Sequence, residues 1–364
     1  MIKPNAKKIC IVVSSLGGGG AERSSALLSE MLFDLGYNVH IVSVLDQIDY
    51  PYKGKLLNLG KFKAQNDYVL GRLQRLKVFK NYLNKHKFDY IIDARTRVQF
   101  YREFIITKLI YRLFSVVYVI HNCNSKKAFT PYKWLNKILY RKATMVAVSK
   151  EAETYFREIY QLEDIKTIYN GFDFENINNC ANEEVSNSIN NYIIYYGRLD
   201  DEHKNLKLLL NAFKLSKLNQ NKIRLLILGN GLDEVMLKDY AREINVMGSV
   251  VFQGFEKNPY PYVKNSLFMV LTSKYEGFPM VIPESLSLGV PVVSVDCKSG
   301  PNEIIINEYN GLLVENHNVK AFAKAMNRMI EDKELYQHCK SNAKSSVKHL
   351  SNEVIGLQWQ ALLK

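Results

Sequence analysis

Twice along this chain an apolar run of strand length stops at glycine and gives way to a helical pattern, and that recurrence limits the fold more than any other feature. From Lys8 the sequence reads KICIVVS, then Gly17 to Gly20, then a helical stretch from Ala21 to about Leu35, then NVHIVSV. DYIID, SVVYVIH and TMVAVS continue the series. NYIIYYG opens a second one, followed by IRLLILG, SVVFQG, LFMVLTS, VPVVSVD and GLLVE. Strands that alternate with helices form parallel sheets, because a parallel connection crosses back over the sheet as a helix. The expectation is an α/β chain of two doubly wound, Rossmann-like domains, facing across a cleft at the carboxyl ends of their strands.

The 364 residues suit two cores of about 150 to 200 residues each. NINNCANEEVSNSINN, residues 176–191, has no apolar period and reads as a linker or surface excursion. The expected domains are 1–175, 176–348 and a closing helix, 349–364, packed back on the first. Five cysteines without a close pair argue against a disulfide framework or a thiolate zinc site, and suggest a reduced, cytosolic compartment. Nothing at the amino end reads as a signal peptide. The apolar stretch from Phe104 to Ile120 is interrupted by Lys108 and Arg112, so a soluble or peripheral protein is expected.

Charge divides the chain. Residues 1–170 hold 28 Lys and Arg against 14 Asp and Glu, net +14, and the remainder holds 21 against 22, net −1. An anionic surface, phospholipid or nucleic acid, suits such a half. In GRLQRLKVFKNYLNKHK and RTRVQFYREFIITKLIYRLF the cations alternate with aromatic and aliphatic side chains. That pattern fits helices at a membrane interface, although a solvated basic face on an ordinary amphipathic helix has the same signature.

The chemistry-bearing motifs fall at strand ends. Backbone amides of Gly17–Gly20 are placed to cradle a phosphate, yet no third glycine completes a dinucleotide fingerprint. Arg198 follows NYIIYYG and Lys204 lies six residues on, a fork of donors and a point charge suited to a diphosphate. In EGFPMVIPE, Gly277 and Pro279 break a strand, Glu276 precedes the next helix and Glu284 sits about one turn into it. Such a pair can accept sugar hydroxyls on one side and ribose hydroxyls on the other. His121 and Asn122 end SVVYVIH, where a satisfied ring is the plain alternative to a catalytic one. Asn170 and Gly171 read as a turn at the exit of the first domain. No His or Cys pair has metal-ligand spacing and no Asp-x-Asp triplet occurs, so a metal-independent site is expected.

Taken in order, GGGGAER, HN at 121–122, AVSK at 147–150, YNGFD at 169–173, GRLDDEHKN at 197–205, EGFPMVIPE and SGPNEII at 299–305 resemble the retaining family 4 glycosyltransferases of the GT-B fold. The resemblance spans nearly the whole chain. It implies transfer of a hexosyl or N-acetylhexosaminyl group from a nucleotide diphosphate donor, with retention and without metal or other cofactor. By the same resemblance Arg198 and Lys204 hold the diphosphate, Glu284 the ribose and Glu276 the donor sugar. Gly277, Phe278, Met280 and Val281 shape the phosphate end, His121 stands near the donor sugar, and Gly18 and Gly19 approach the donor from the other domain as the cleft closes. Front-face substitution is implied, with the departing phosphate taking the acceptor proton.

SGPNEII departs from the usual Gly-Gly before Pro-Glu, which leaves the donor sugar open. UDP is expected from family frequency. With the basic half, the resemblance suggests a polyprenyl diphosphate-linked acceptor in capsule, O-antigen, lipopolysaccharide or glycoprotein glycan assembly. Arg95, Arg97, Arg102, Lys108 and Arg112 would lie on its side, and the protein would sit on the cytoplasmic face of an inner membrane. The competing readings are a GT-B epimerase, a dehydrogenase disfavoured by its glycine spacing, and a nucleic-acid binder without a recognition motif.

Overall fold

The computed structural model describes residues 6–63, 69–184 and 189–364. It forms two compact units, one running to Gly171 and taking in Asn352–Lys364, the other Phe172–Ser351.

The first unit is built on seven parallel strands: β1 (Lys8–Val13), β2 (Asn38–Ser43), β3 (Lys55–Asn58), β4 (Tyr90–Asp93), β5 (Val116–Ile120), β6 (Thr144–Ala147) and β7 (Asp164–Thr167). Their order is β3-β2-β1-β4-β5-β6-β7. The apolar runs are nearly continuous because helices cover both faces, so Ile9, Ile11, Ile91 and Ile92 are all fully buried. The order reverses between β1 and β4, and in such sheets ligands gather outside the carboxyl ends at that point. The glycine run and Asp93 lie there. The helix after the glycines is Gly20–Asp34. The closing helix, Asn352–Leu362, buries Ile355 and Trp359 within this unit.

The second unit repeats the plan with six strands: β8 (Tyr192–Tyr196), β9 (Arg224–Leu228), β10 (Val250–Gly254), β11 (Met269–Leu271), β12 (Val292–Asp296) and β13 (Gly311–Glu315). The order β10-β9-β8-β11-β12-β13 reverses between β8 and β11. All the strands named from the sequence are present; β3 and β7, each only four residues long, were not among them.

The stretch read as a linker begins as a helix, Phe174–Cys180. Asp173 caps it, accepting from the Asn176 amide at 2.9 Å, and Ile177 is its one buried residue. A side-chain cap thus replaces the missing apolar period; residues 185–188 of that stretch lie outside the described ones. The basic segment at 95–114 is not a single interfacial helix either. It enters as a loop that buries Arg95 and Arg97, forms the helix Phe100–Ile105 and widens into a π-type turn over Ile106–Ile110.

Candidate active site

In the second unit the sequence motifs meet at the switch point. β8 ends at Tyr196, and Gly197 takes φ +149° before Arg198. Arg198 is exposed, and its guanidinium makes no hydrogen bond or ion pair among the described residues. Lys204 does not simply precede a helix, as its spacing suggested, but ends one, Asp201–Lys204, which Asp200 caps and Asn205 terminates at φ +53°. That single turn is tied to the end of β11. Thr272 Oγ1 donates to the Lys204 carbonyl at 2.9 Å, and the Lys274 amide donates to the His203 carbonyl at 2.9 Å.

The turn aims Lys204 at Glu276, with Nζ 2.6 Å from Oε1. Burial alone would raise the Glu276 carboxyl, but Lys204, and to a lesser degree His203, hold it below its ordinary range. The His203 ring lies against Tyr275, its Nε2 2.8 Å from the Tyr275 carbonyl. Burial and then Lys204 keep His203 below the usual imidazole range. The result is a fixed carboxylate and ammonium side by side, with a neutral ring behind them.

Glu284 is fully buried in the first turn of the helix Val281–Ser287. Tyr196 Oη donates to the Val281 carbonyl at 2.7 Å and approaches Glu284 Oε2 at 3.3 Å, so β8 carries the side chain that positions it. Phe278 and Met280 are buried beneath the same loop. The loop is locked to the segment after β12: the Glu276 amide donates to the Lys298 carbonyl at 3.1 Å, and Ser299 Oγ to the Gly277 carbonyl at 3.0 Å. SGPNEII therefore serves as the clasp of EGFPM.

In the first unit, His121 follows β5. Burial, reinforced by the Arg97 charge, pushes its pKa down to about 4, and its Nε2 is buried without a hydrogen-bond partner among the described residues. The ring borders a cavity of about 20 Å³ with Ser24, Asn170 and Trp359, room for a single small group. Asn122 closes its own turn by accepting from the Asn124 amide at 2.8 Å, and Asn170 accepts from Ser24 Oγ at 2.5 Å. Gly18 takes φ +89°, which only glycine adopts without strain, and Gly19 precedes the first helical residue. Around this loop stand the carboxylates of Glu22 and Asp49.

The acceptor-side arginines divide. Arg95 and Arg97 do not face an acceptor as expected from the sequence, since both are buried and bonded internally. Arg95 lies 2.6 Å from Asp93 and 3.3 Å from Glu103. Arg97 donates to the carbonyls of Asp93, Arg95 and Val119, between the rings of Tyr118 and Phe129. Asp93 and Glu103, on a strand end and a helix of the same core, draw these cations inward. Arg102 is partly exposed and pairs with Glu103 at 3.0 Å. Lys108 and Arg112 are exposed.

Sequence reading missed Tyr196, His203 and the Gly229–Asn230–Gly231 loop after β9. The repeat of glycine at the ends of β8 and β9 was the available signal. Among the described residues no three His, Cys, Asp or Glu side chains gather as a metal site, and no helix is long and apolar enough to cross a membrane.

Comparison with known proteins places both units. Residues 18–176 match the model of Glycosyltransferase Family 4, and residues 177–346 that of Glycosyl transferases group 1. A transferase of Campylobacter jejuni, the N-acetylgalactosamine-N,N'-diacetylbacillosaminyl-diphospho-undecaprenol 4-alpha-N-acetylgalactosaminyltransferase, is 30% identical over 94% of this chain and 95% of its own. The chain is a family 4 glycosyltransferase. This glycosyltransferase is also 36% identical to the lipopolysaccharide 1,6-galactosyltransferase of Escherichia coli, over 38% of this chain and 39% of the relative. Its fold is GT-B. Anabaena HepE, solved in complex with UDP, superposes with a TM-score of 0.75 at 20% identity, covering 98% of this chain and 99% of that one. The dehydrogenase and nucleic-acid readings fall with this result.

Proposed function

We propose that this glycosyltransferase moves a sugar from a UDP-linked donor to a polyprenyl diphosphate-linked glycan, with retention of anomeric configuration and without a metal, in polysaccharide or lipopolysaccharide assembly. The observation that carries it is the juxtaposition of Lys204 with Glu276, beside the exposed Arg198, at the switch point of the second unit. Two cations there offset the negative charge of a diphosphate, which grows as the diphosphate departs. Glu276 is held as a carboxylate, ready to accept hydroxyls of the donor sugar. Glu284 accepts the ribose hydroxyls, which replace its 3.3 Å contact with Tyr196.

In the reaction the bond from the anomeric carbon to the β-phosphate oxygen breaks, and its electron pair stays on that oxygen. Arg198 and Lys204 neutralise the developing charge. The acceptor oxygen bonds to the anomeric carbon on the face just vacated, and its proton passes to the departing phosphate.

Support for the acceptor comes from the Campylobacter relative, whose name specifies a diphospho-undecaprenol substrate and an alpha linkage. Support for UDP comes from the HepE complex. The net charge of +14 on residues 1–170 supports peripheral attachment to an anionic cytoplasmic leaflet. Incubation with UDP-sugars and a polyprenyl diphosphate-linked saccharide, in chelator, tests the reading. NMR of the product should show the donor's anomeric configuration. An inverted product would rule out retention, and turnover of the donor sugar without acceptor would favour an epimerase.

A further inference from the structure

A wide cavity lies away from all of this, at the other end of the first sheet. Its volume is about 1080 Å³, and Tyr90, Val116, Thr144 and Asp164, which open β4 to β7, line it. The amino ends of these strands are opposite the ends that carry Asp93 and His121.

Five cations from two helix ends face this cavity: Lys108, Arg112, Lys137, Arg141 and Lys142. Arg141 is answered by Glu163 at 2.9 Å. The other four have no ion pair among the described residues, and Asp164, the one acid in the lining, is hydrogen-bonded to Thr144 at 2.6 Å. Cations in a last turn have an ordinary role, since each helix end carries roughly half a negative charge. Two helix ends and Asp164 then account for about two of the four charges, and a surplus remains.

Exposed apolar side chains neighbour the same cations along the chain, and Ile138 itself lines the cavity. Leu109, Leu113, Trp134 and Ile138 are 56%, 86%, 58% and 61% exposed. On the helix Lys133–Tyr140, Trp134 and Ile138 are one turn apart, with Lys137 beside them. Large apolar groups are kept in water around a cationic hollow when a partner offers phosphate and hydrocarbon together, and a bilayer surface does so.

We propose that this cavity receives the phosphate headgroup of an anionic membrane lipid while Leu109, Leu113, Trp134 and Ile138 enter the acyl boundary. The site is separate from the donor site and deepens the membrane reading above, on which it rests.

The test is sedimentation of the full chain with phosphatidylcholine vesicles, with and without phosphatidylglycerol, alongside UDP binding as a check of the fold. K137E/K142E should weaken binding to the anionic vesicles at least about tenfold, and L109S/L113S should weaken it as well. K77E/K80E on the helix Val69–His86 should cost less than about threefold, and UDP binding should be unchanged in all three. Equal losses from the pocket and the control helix would mean a diffuse basic surface and overturn the proposal. Inorganic phosphate bound at the cavity without preference for anionic vesicles would overturn it in favour of a soluble ligand. If the wild type binds no vesicles, the membrane reading fails with it; if it binds and K137E/K142E binds equally, the headgroup pocket alone fails.

Discussion

Lys204 and Glu276 stand 72 positions apart in the chain and 2.6 Å apart in space, with side chains 17% and 8% exposed. Desolvating two charges cancels much of their attraction, so such a pair contributes little net stability. Its value lies in charges already placed for a diphosphate and a sugar before either arrives.

Removing one partner should therefore cost more than removing both. Lys204→Ala leaves a buried carboxylate and should lower stability by about 3 kcal/mol, with sugar transfer down at least about 100-fold. Lys204→Met with Glu276→Leu should return to within about 1 kcal/mol of the wild type while staying inactive. Urea titration and initial rates on the three proteins check this. The Glu276 share of stability is present above its ordinary pKa of 4.5 and is lost as pH falls through the depressed folded value.

His121 should titrate near pH 4 by NMR, well below the ordinary 6.5. Between those values the unfolded chain takes up the proton and the folded chain does not. Stability from the neutral ring is therefore intact above pH 6.5 and declines on acidification, by about 3 kcal/mol at most. His40 is shifted in the same direction to about 4, so the His121 part is the difference between wild type and His121→Gln. Turnover should show no inflection at 6.5 from this residue, and His121→Gln should slow it at least about 100-fold.

Arg97 fixes the end of β5 through the Val119 carbonyl at 2.8 Å, two residues before His121. A lysine there loses the planar fork that reaches three carbonyls, and Arg97→Lys should destabilise by about 2 to 3 kcal/mol. Arg97→Met removes the charge as well, so the His121 titration should move upward. An unmoved midpoint would show that burial alone sets it.

Gly229 takes φ +141°, and a Cβ on it would lie 1.9 Å from the Gly197 carbonyl oxygen. Gly229→Ala forces apart the ends of β8 and β9, the strands beside Arg198. A loss of at least about 2 kcal/mol should appear in thermal unfolding, with donor affinity falling in step.

The sheets were legible because parallel strands buried on both faces leave unbroken apolar runs, as in KICIVVS and NYIIYYG. β3 and β7 were not, since KLLN and DIKT are edge strands with polar or half-buried positions. Glu276, Lys204 and Arg198 were legible from motif and strand end. Their partners were not: Tyr196 looks like any aromatic in a core strand, and His203 faces Tyr275 only through tertiary folding. Arg95 and Arg97 misled because charge in a sequence carries no sign of depth. The carboxylates that hold Arg95 inside, Asp93 and Glu103, are two and eight residues away, too ordinary a spacing to distinguish a buried network from a basic surface.

The most direct measurement is calorimetric titration of the purified protein with UDP, GDP and ADP in the presence of chelator, together with Lys204→Ala and Glu284→Ala. UDP alone should bind, independent of metal and more weakly after either substitution. Binding that requires a divalent ion, or that survives both substitutions in folded protein, would contradict the proposed function.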